Sequence, residues 1–396
     1  MNKPDQALAL KCDAQSLAYD WHAAAHVLDT ASATLLRQHF DEARRRMDPA
    51  DVEGGFREFS ARLLQRGLIP ISDYVAVFGG QALHCLTWEH SRFADMHTGA
   101  DASALARRYS RAKHGSIEDI RYLASLVIHA LSAALDDPHN PWRRLFETAG
   151  LGGESVAMLT TGWRNVPSTA NVLYALVVEQ INVKLAGLGL PTMIEIKLPR
   201  IAPPCEDYAS LSTEERQRIS LTQDHVIPAS NFYRWSAVHV IFGDDVLVTG
   251  STADKIFVHS MRSGARSFRA IYPLALDPAL ALLDPAVEER LNKVAVTGAF
   301  DESVADFLSH PDNVPILRSL RLVFSAQNRA QLGLHLQRVP ARKWLALYVS
   351  ALNNEFLRQP ACRESLALVR QHLIRQQLLD DDGKPQLPWL REGQRP

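Results

Sequence analysis

The sequence predicts an α/β protein: a doubly wound parallel sheet with helical regions on its N-terminal and C-terminal sides. Between residues 104 and 277, short apolar runs of strand type alternate with longer runs of helical periodicity. Such alternation implies strand–helix–strand crossovers, which join parallel strands. The 396 residues suffice for two or three domains. We therefore expect a core over 104–277, a helical region with a possible hairpin over 1–103, and a helical region with a loose tail over 278–396.

Each element of the predicted core follows from its local pattern. Apolar runs predict strands over 154–160, 191–198, 237–242 and 267–276. Helical periodicity predicts helices over 116–135, 171–188 and 253–264. A polar turn covers 161–169, and a long polar insertion separates the second strand from the third.

The flanking regions carry mainly helical patterns. In the N-terminal region, Gly79 and Gly80 lie between two apolar runs and suggest a hairpin. In the C-terminal region we expect helices over 285–296, 302–310, 313–324 and 341–357. The last of these helices places Trp344 and Tyr348 at helical spacing, which is typical of a packed core.

Composition excludes several classes of protein. The chain is 46% hydrophobic and 22% charged with a net charge of −1, so net charge does not indicate a nucleic acid or anionic membrane as partner. The sequence contains no apolar stretch of spanning length and does not begin like a signal peptide, and we expect a cytoplasmic protein. The four cysteines lack CxxC spacing and the histidines lack HExxH spacing, so we expect neither a disulfide framework nor a transition-metal site.

The stretch IFGDDVLVTGST, residues 241–252, is the strongest candidate site. Its acid pair, Asp244 and Asp245, is predicted to end a buried strand, and ligands of open parallel sheets collect at such ends. The small-residue turn that follows opens a helix, so its amide and hydroxyl groups suit a phosphate. The carboxylates then suit sugar hydroxyls or a hydrated cation. Alternatively, the acid pair is a helix N-cap in a solvated turn.

The order strand-Asp-Asp-x-x-x-Thr-Gly-x-Thr resembles the phosphoribosyl pyrophosphate (PRPP) signature of type I phosphoribosyltransferases, and every position of 244–252 is allowed. Residues 109–126 also resemble the start of the fold in a less-studied bacterial branch. The resemblance implies that Thr249, Gly250, Ser251 and Thr252 bind the 5-phosphate. It further implies that Asp244 and Asp245 contact the ribose hydroxyls, with Mg²⁺ held nearby through substrate and water rather than by direct protein ligands.

The same resemblance implies a pyrophosphate loop after the first core strand and a mobile catalytic loop after the second. By place, the first loop is Thr160, Thr161, Gly162, Trp163, Arg164 and Asn165. Trp163 departs from the small residues usual there, and the alternative for this segment is an ordinary connection into a helix. The second region begins with Lys197 and Arg200 and is long enough for a lid or an inserted helix. Alternatively, these two cations lie at a solvated loop edge.

Three functions follow from these patterns. The first is an enzyme that transfers phosphoribosyl from PRPP to a nucleobase or another small nucleophile and releases pyrophosphate. The second is a sensor or regulator that binds PRPP without catalysis. The third is the ribosyl-phosphate-binding component of a multi-protein assembly, such as a defence system. The helical flanks would recognise the acceptor, a protein partner or a second copy of the chain.

Overall fold

The computed structural model describes residues 81–199, 237–248, 252–253, 256, 260, 263–277, 280 and 286–386. The described chain separates into two compact units. The first contains the described residues of 1–106, 123–161 and 173–290, and the second those of 107–122, 162–172 and 291–386. The predicted helices before residue 81, the hairpin turn at Gly79 and Gly80 and the insertion after Pro199 lie outside the described residues.

One sheet, built from the strands of the described ranges, forms the first unit. Its strands lie in the order β2-β1-β7-β5-β3-β4, and a short strand, β6, also pairs with β7. The bounds are β1 (Gln81–Glu89), β2 (Arg92–Asp95), β3 (Ser155–Trp163), β4 (Met193–Pro199), β5 (Val238–Gly243), β6 (Val246–Leu247) and β7 (Ser267–Leu276). Strands β1, β5 and β6 run parallel to β7, and β3 runs parallel to β5.

The sheet is mixed rather than wholly parallel, because β2 pairs antiparallel with β1. His90 and Ser91 connect the two strands, and both have positive φ angles, of 49° and 62°. A connection this short joins only antiparallel strands. The hairpin lacks the glycine that usually marks such a turn, so the sequence prediction missed it. Strand β1, which lies in the predicted N-terminal helical region, pairs with β7 and so belongs to the core sheet.

Ten helices have complete bounds in the described ranges. They are α1 (Ser103–Lys113), α2 (Ile117–Asp136), α3 (Pro141–Gly152), α4 (Thr169–Gly187), α5 (Ala286–Lys293), α6 (Glu302–Ser309), α7 (Leu317–Phe324), α8 (Arg329–His335), α9 (Ala341–Asn353) and α10 (Pro360–Arg375). Helical residues also occur at Ala253, Ile256 and Ser260, within the region predicted to be a helix after the acid pair, and at Thr252, just before that region. Among the described residues, no helix is long and apolar enough to cross a membrane.

The central strands are buried on both faces, which is usual for a parallel sheet between layers of helices. Consecutive residues are buried over 156–160 in β3, 239–243 in β5 and 270–276 in β7. One face carries a core cluster in which Phe242 packs with Ala253 and Ile256 of the following helix. The opposite face meets α4, since a side chain at Gly243 would run into the ring of Tyr174.

Polar side chains around the buried His239 join three strands at the amino end of the sheet. Glu154, just before β3, accepts hydrogen bonds from His239 Nε2 at 2.8 Å and from Arg266 Nε at 2.5 Å. Nδ1 of His239 lies within hydrogen-bonding distance, 2.8 Å, of the Ser267 hydroxyl. The bonds from Arg266 and His239 hold the pKa of the Glu154 carboxyl below its usual value. This cluster ties β3, β5 and β7 together.

The second unit has its own apolar core, built around α6 to α10. Trp344 is fully buried and Tyr348 nearly so, which confirms the core assigned to them from helical spacing. The indole Nε1 of Trp344 donates to the Leu336 carbonyl at 2.9 Å. Helix α7 begins at Leu317 rather than at the predicted residue 313, because Pro315 disfavours helical backbone in the residue before it.

The tail predicted to be loose from residue 380 is held at its start. Leu379 and Pro385 form an isolated antiparallel bridge, and the Gln386 amide donates to the Leu378 carbonyl at 2.8 Å. Gly383, with a φ of 85°, allows the intervening turn. The tail therefore pairs with the residues that follow α10 as far as residue 386.

His372 gives the second unit a pH-dependent stability. The side chain is 2% exposed, and its burial, with the nearby Arg375, lowers its pKa below the usual value. The unfolded chain therefore binds a proton more readily, so stability is complete above the unfolded pKa and is lost as pH falls toward the folded pKa. We expect His372→Leu to flatten the fall in melting temperature between about pH 7.5 and pH 5, a window around the unperturbed histidine pKa.

The matched control is His129→Leu, since His129 is exposed on α2. Melting curves of the three proteins across the same pH range provide the measurement. Equal pH slopes for the His372 variant and the wild type would contradict this assignment.

Candidate functional site

The acid pair interrupts a strand instead of following its end. Strand β5 stops at Gly243, opposite Ile271 of β7, and β6 resumes at Val246, opposite Leu274. The register against β7 is the same on both sides of the break. The prediction that the strand ends at the acid pair is confirmed for β5, but the sequence did not predict that the apolar Val246 and Leu247 pair with β7 after it.

The break follows from the chemistry of aspartate. The amide of Asp245 donates to Oδ1 of the preceding Asp244, at 3.0 Å. Short acidic side chains compete in this way for backbone groups that would otherwise pair in a ladder, and aspartate is poorly suited to strands. Two consecutive aspartates are therefore a local reason for the ladder to open at this point.

The two carboxyl residues differ in exposure. Asp244 is partly exposed, whereas Asp245 is only 3% exposed. A ligand arriving from solvent can therefore reach Asp244 directly, while Asp245 lies behind the surface. From the sequence pattern, the same role was predicted for both residues.

Tyr174 of α4 closes the opposite side of the break. Its hydroxyl donates to the Ile271 carbonyl and lies 3.3 Å from the Asp244 carbonyl. Burial raises the pKa of this fully buried hydroxyl well above its usual value, and the charges of Asp244 and Asp245 raise it further. The hydroxyl therefore stays protonated and remains a donor at neutral pH.

Gly243 makes this approach possible. A Cβ atom at position 243 would lie 2.6 Å from the Cε1, Cε2 and Cζ atoms of Tyr174, well inside van der Waals contact. A glycine inside a strand often marks such a close approach. Gly243 was therefore the available sequence signal for this contact, but it did not identify Tyr174, which lies far away in the chain.

The acid pair lies where the strand order reverses. From β3 the chain proceeds to β4 at one side, whereas from β5 it proceeds to β7 at the other. Such a switch point leaves a crevice at the carboxyl ends of the two neighbouring strands. Leu159 pairs with Phe242, so Thr160 and Thr161 follow at the same edge as Asp244. Within the first unit, the structure thus brings the start of the predicted pyrophosphate loop near the acid pair.

The predicted pyrophosphate loop is shorter than expected, because β3 continues to Trp163. Thr160, Thr161, Gly162 and Trp163 are therefore strand residues rather than loop residues. Thr160 is fully buried, whereas Thr161 is partly exposed. The apolar run ends at Leu159, and the sequence prediction did not extend the strand through the polar residues that follow it.

The rest of that loop belongs to the second unit. Asn165 has a φ of 58°, and its Nδ2 donates to the Asn353 carbonyl at 3.0 Å. The Arg164 amide donates to the Val166 carbonyl at 3.1 Å, and the Arg164 side chain is partly exposed. Gly162 has a φ of 88°, and a Cβ there would lie 3.0 Å from Cβ of Ser168. These contacts fold the segment into a tight turn before α4.

Only part of the remaining predicted site is described. Thr252 is an exposed helical residue, and Thr249, Gly250 and Ser251 lie outside the described residues. Lys197 is exposed on β4 with its Nζ 3.4 Å from Oε1 of Glu195. Arg200, with the possible lid after it, lies outside the described ranges.

No family model matches the chain, and no curated protein is significantly similar to it. The described side chains include no group of three or more histidine, cysteine, aspartate or glutamate residues arranged to hold a metal ion.

The close packing of Gly243 against Tyr174 predicts a strong effect of Gly243→Ala. The new Cβ forces the ring or the strand to move, and overpacking of this kind costs about 1–3 kcal/mol. We expect a lower melting temperature, measured by thermal or denaturant unfolding.

Gly187→Ala is the matched control, because a Cβ at Gly187, the last residue of α4, meets no atom within 4 Å. That change should be neutral or stabilise by up to about 1 kcal/mol. Equal stability of the two alanine variants would mean that the ring of Tyr174 does not pack against Gly243 in solution.

Proposed function

We propose that the chain binds PRPP at the acid pair and transfers its phosphoribosyl group to a small nucleophile, with release of pyrophosphate. The observation that carries the proposal is the interrupted strand, which leaves a partly exposed Asp244 at the switch point of the sheet. Residues whose composition suits phosphate, 249–252, follow it in the chain, and described helical residues occur at Thr252, Ala253, Ile256 and Ser260. A carboxylate next to a phosphate site suits a sugar phosphate.

In this proposal each part of the site contacts a different part of PRPP. The turn over 249–252 holds the 5-phosphate, through backbone amides and the positive end of the helix dipole. The partly exposed Asp244 accepts hydrogen bonds from ribose hydroxyls, whereas the buried Asp245 supports the backbone around it. This division refines the equal roles that the family resemblance implies for the two aspartates.

The donors at this edge fit a role for Mg²⁺. This ion is commonly held by one or two carboxylates together with substrate phosphates and water, and Asp244 and Asp245 are carboxylates at the correct edge of the sheet. Asp244, the more exposed of the two, would face the hydrated ion. When bound, Mg²⁺ neutralises part of the charge on pyrophosphate.

The reaction breaks the bond between the anomeric carbon and pyrophosphate and forms a bond to the acceptor. Such displacements pass through an oxocarbenium-like state, in which negative charge grows on the leaving oxygens. Groups that bind the leaving oxygens more strongly in the transition state than in the ground state accelerate the step. By family resemblance Arg164 has this role, and Lys197 and Arg200 are further candidates. Asp244 holds the ribose while the bond breaks.

The second candidate, a sensor that binds PRPP without catalysis, is favoured by one observation. The pyrophosphate segment contains Trp163 within a strand, and the side chain of Asn165 is bonded to the Asn353 carbonyl. Residues engaged in such packing are less available to a leaving group. In the third candidate, an assembly component, the helical flanks bind a protein partner; measured pyrophosphate release separates the enzyme from both alternatives.

Ligand binding at the acid pair is tested by thermal stability. With Mg²⁺ and PRPP at about a hundredfold excess over the dissociation constant, the wild-type fold should gain about 2.7 kcal/mol. The double change Asp244→Asn, Asp245→Asn should abolish most of this gain. Its apoprotein should melt at a similar or slightly higher temperature, because asparagine Oδ1 can still accept the amide hydrogen bond and the charge repulsion is removed.

Asp136→Asn is the control, since Asp136 is exposed on α2 and pairs only with Lys184 among the described side chains. It should keep the full ligand shift. A wild-type protein whose melting temperature does not respond to millimolar PRPP with Mg²⁺ would exclude the proposed ligand.

Catalysis is tested separately through Arg164. If its guanidinium binds the leaving group, Arg164→Ala should lower turnover, measured as pyrophosphate release with a panel of candidate acceptors, far more than it weakens binding of ribose 5-phosphate. The exposed Arg358→Ala is the control and should change neither quantity. Equal losses of turnover and of ribose 5-phosphate binding in the Arg164 variant would mean that this segment serves only the fold.

A further inference from the structure

We propose that Tyr174 is a positioning residue for the acid pair, setting the direction of the Asp244 carboxylate through the peptide between Asp244 and Asp245. This inference rests on the proposed PRPP site. It assigns a function to a side chain of α4 that the sequence pattern did not mark.

The peptide between the two aspartates is held at both of its polar atoms. Its carbonyl oxygen, that of Asp244, faces the Tyr174 hydroxyl at 3.3 Å. Its amide, that of Asp245, donates to Oδ1 of Asp244 at 3.0 Å. Because a peptide is planar, fixing its carbonyl also fixes its amide, and the amide in turn fixes the carboxylate. Tyr174 is thus linked mechanically to the group proposed to contact the ribose.

The Tyr174 hydroxyl is itself held firmly in place. It is fully buried and donates to the Ile271 carbonyl of β7, which lies opposite Gly243. The missing side chain at Gly243 lets the ring lie directly against the strand. A hydroxyl has a single hydrogen, so the Ile271 carbonyl receives the stronger bond and the Asp244 carbonyl the weaker one. Tyr174 therefore anchors the break in β5 to the neighbouring strand.

This arrangement explains how the strand can open without a change of register. At the break the ladder between β5 and β7 loses the regular pairing seen on either side. Leaving the buried Ile271 carbonyl without a hydrogen-bond donor would cost free energy of folding, and the Tyr174 hydroxyl donates to it. Burial raises the pKa of this hydroxyl, which therefore remains a donor throughout the neutral range.

The test uses Tyr174→Phe in the full chain, which keeps the ring and removes the hydroxyl. We expect PRPP with Mg²⁺, and ribose 5-phosphate, to bind about tenfold more weakly, the scale of one lost hydrogen bond. Binding of inorganic phosphate, which in the proposed function involves residues 249–252 rather than the acid pair, should stay within about twofold of wild type. A purely structural role would weaken all three ligands alike or none, so the divergence between the sugar ligands and phosphate is the decisive measurement.

Tyr272→Phe is the matched control: it removes the hydroxyl of another buried tyrosine, which lies in β7 and packs edge to face against Phe242. It should leave all three affinities unchanged. Calorimetric titration of both variants supplies the constants. If the Tyr174 variant does not fold, Gly243→Ala displaces the ring while keeping the hydroxyl and should give the same divergence.

The outcomes separate this inference from the proposed function. A wild-type protein that binds neither PRPP nor ribose 5-phosphate would overturn the proposed function, and the inference with it. A wild-type protein that binds both, together with a Tyr174 variant of unchanged affinity, would overturn only the positioning role. Equal weakening of phosphate and sugar ligands would also overturn it.

Discussion

The interruption of one strand at Asp244 and Asp245 is the feature on which the candidate site depends. Strand pairing with β7 on both sides of the break holds the chain in one register, so the acidic residues are accommodated without displacing the apolar core. Where the ladder opens, the Asp245 amide donates to Oδ1 of Asp244, and the Tyr174 hydroxyl donates to the Ile271 carbonyl. A break with these partners is a stable local structure that exposes one carboxylate at the edge of the sheet.

Acidic side chains lie at both ends of the sheet. At the amino end, Glu154 accepts hydrogen bonds from Arg266 and His239, which hold three strands together. At the carboxyl end, Asp244 is partly exposed, and its Oδ1 accepts a hydrogen bond from the adjacent amide. The position of Asp244 agrees with the general rule that open parallel sheets bind ligands at their carboxyl ends.

The second unit contains the turn that precedes α4. Its core surrounds the fully buried Trp344, and the turn before α4 is fastened to it through Asn165 and the Asn353 carbonyl. A turn fixed in this way favours catalysis if the Arg164 guanidinium binds pyrophosphate, and it favours a purely structural role if that side chain does not. The enzyme and sensor proposals therefore differ in what Arg164 does, rather than in the acid pair that both require.

The sequence by itself determined the alternation of elements and pointed to the acid pair as the candidate site. Strand β7 has the predicted bounds, and β4 and β5 differ from prediction by one or two residues, because short apolar runs between turns carry a strong local signal. The acid pair was also recognisable, since the chemistry of adjacent residues is local information. The hairpin at His90 and Ser91 was missed because its turn residues are not those that usually mark one.

Only the tertiary structure decided how the acid pair is built. The resumption of the strand at Val246 depends on pairing with β7, and the difference in exposure between Asp244 and Asp245 depends on what packs around them. Tyr174 lies 70 residues before Asp244, so no local pattern connects the two. Gly243 indicated a close approach of another group to the strand, but it did not identify Tyr174 as that group. Local propensities are properties of neighbouring residues, whereas strand register, burial and long-range hydrogen bonds arise only when distant segments pack together.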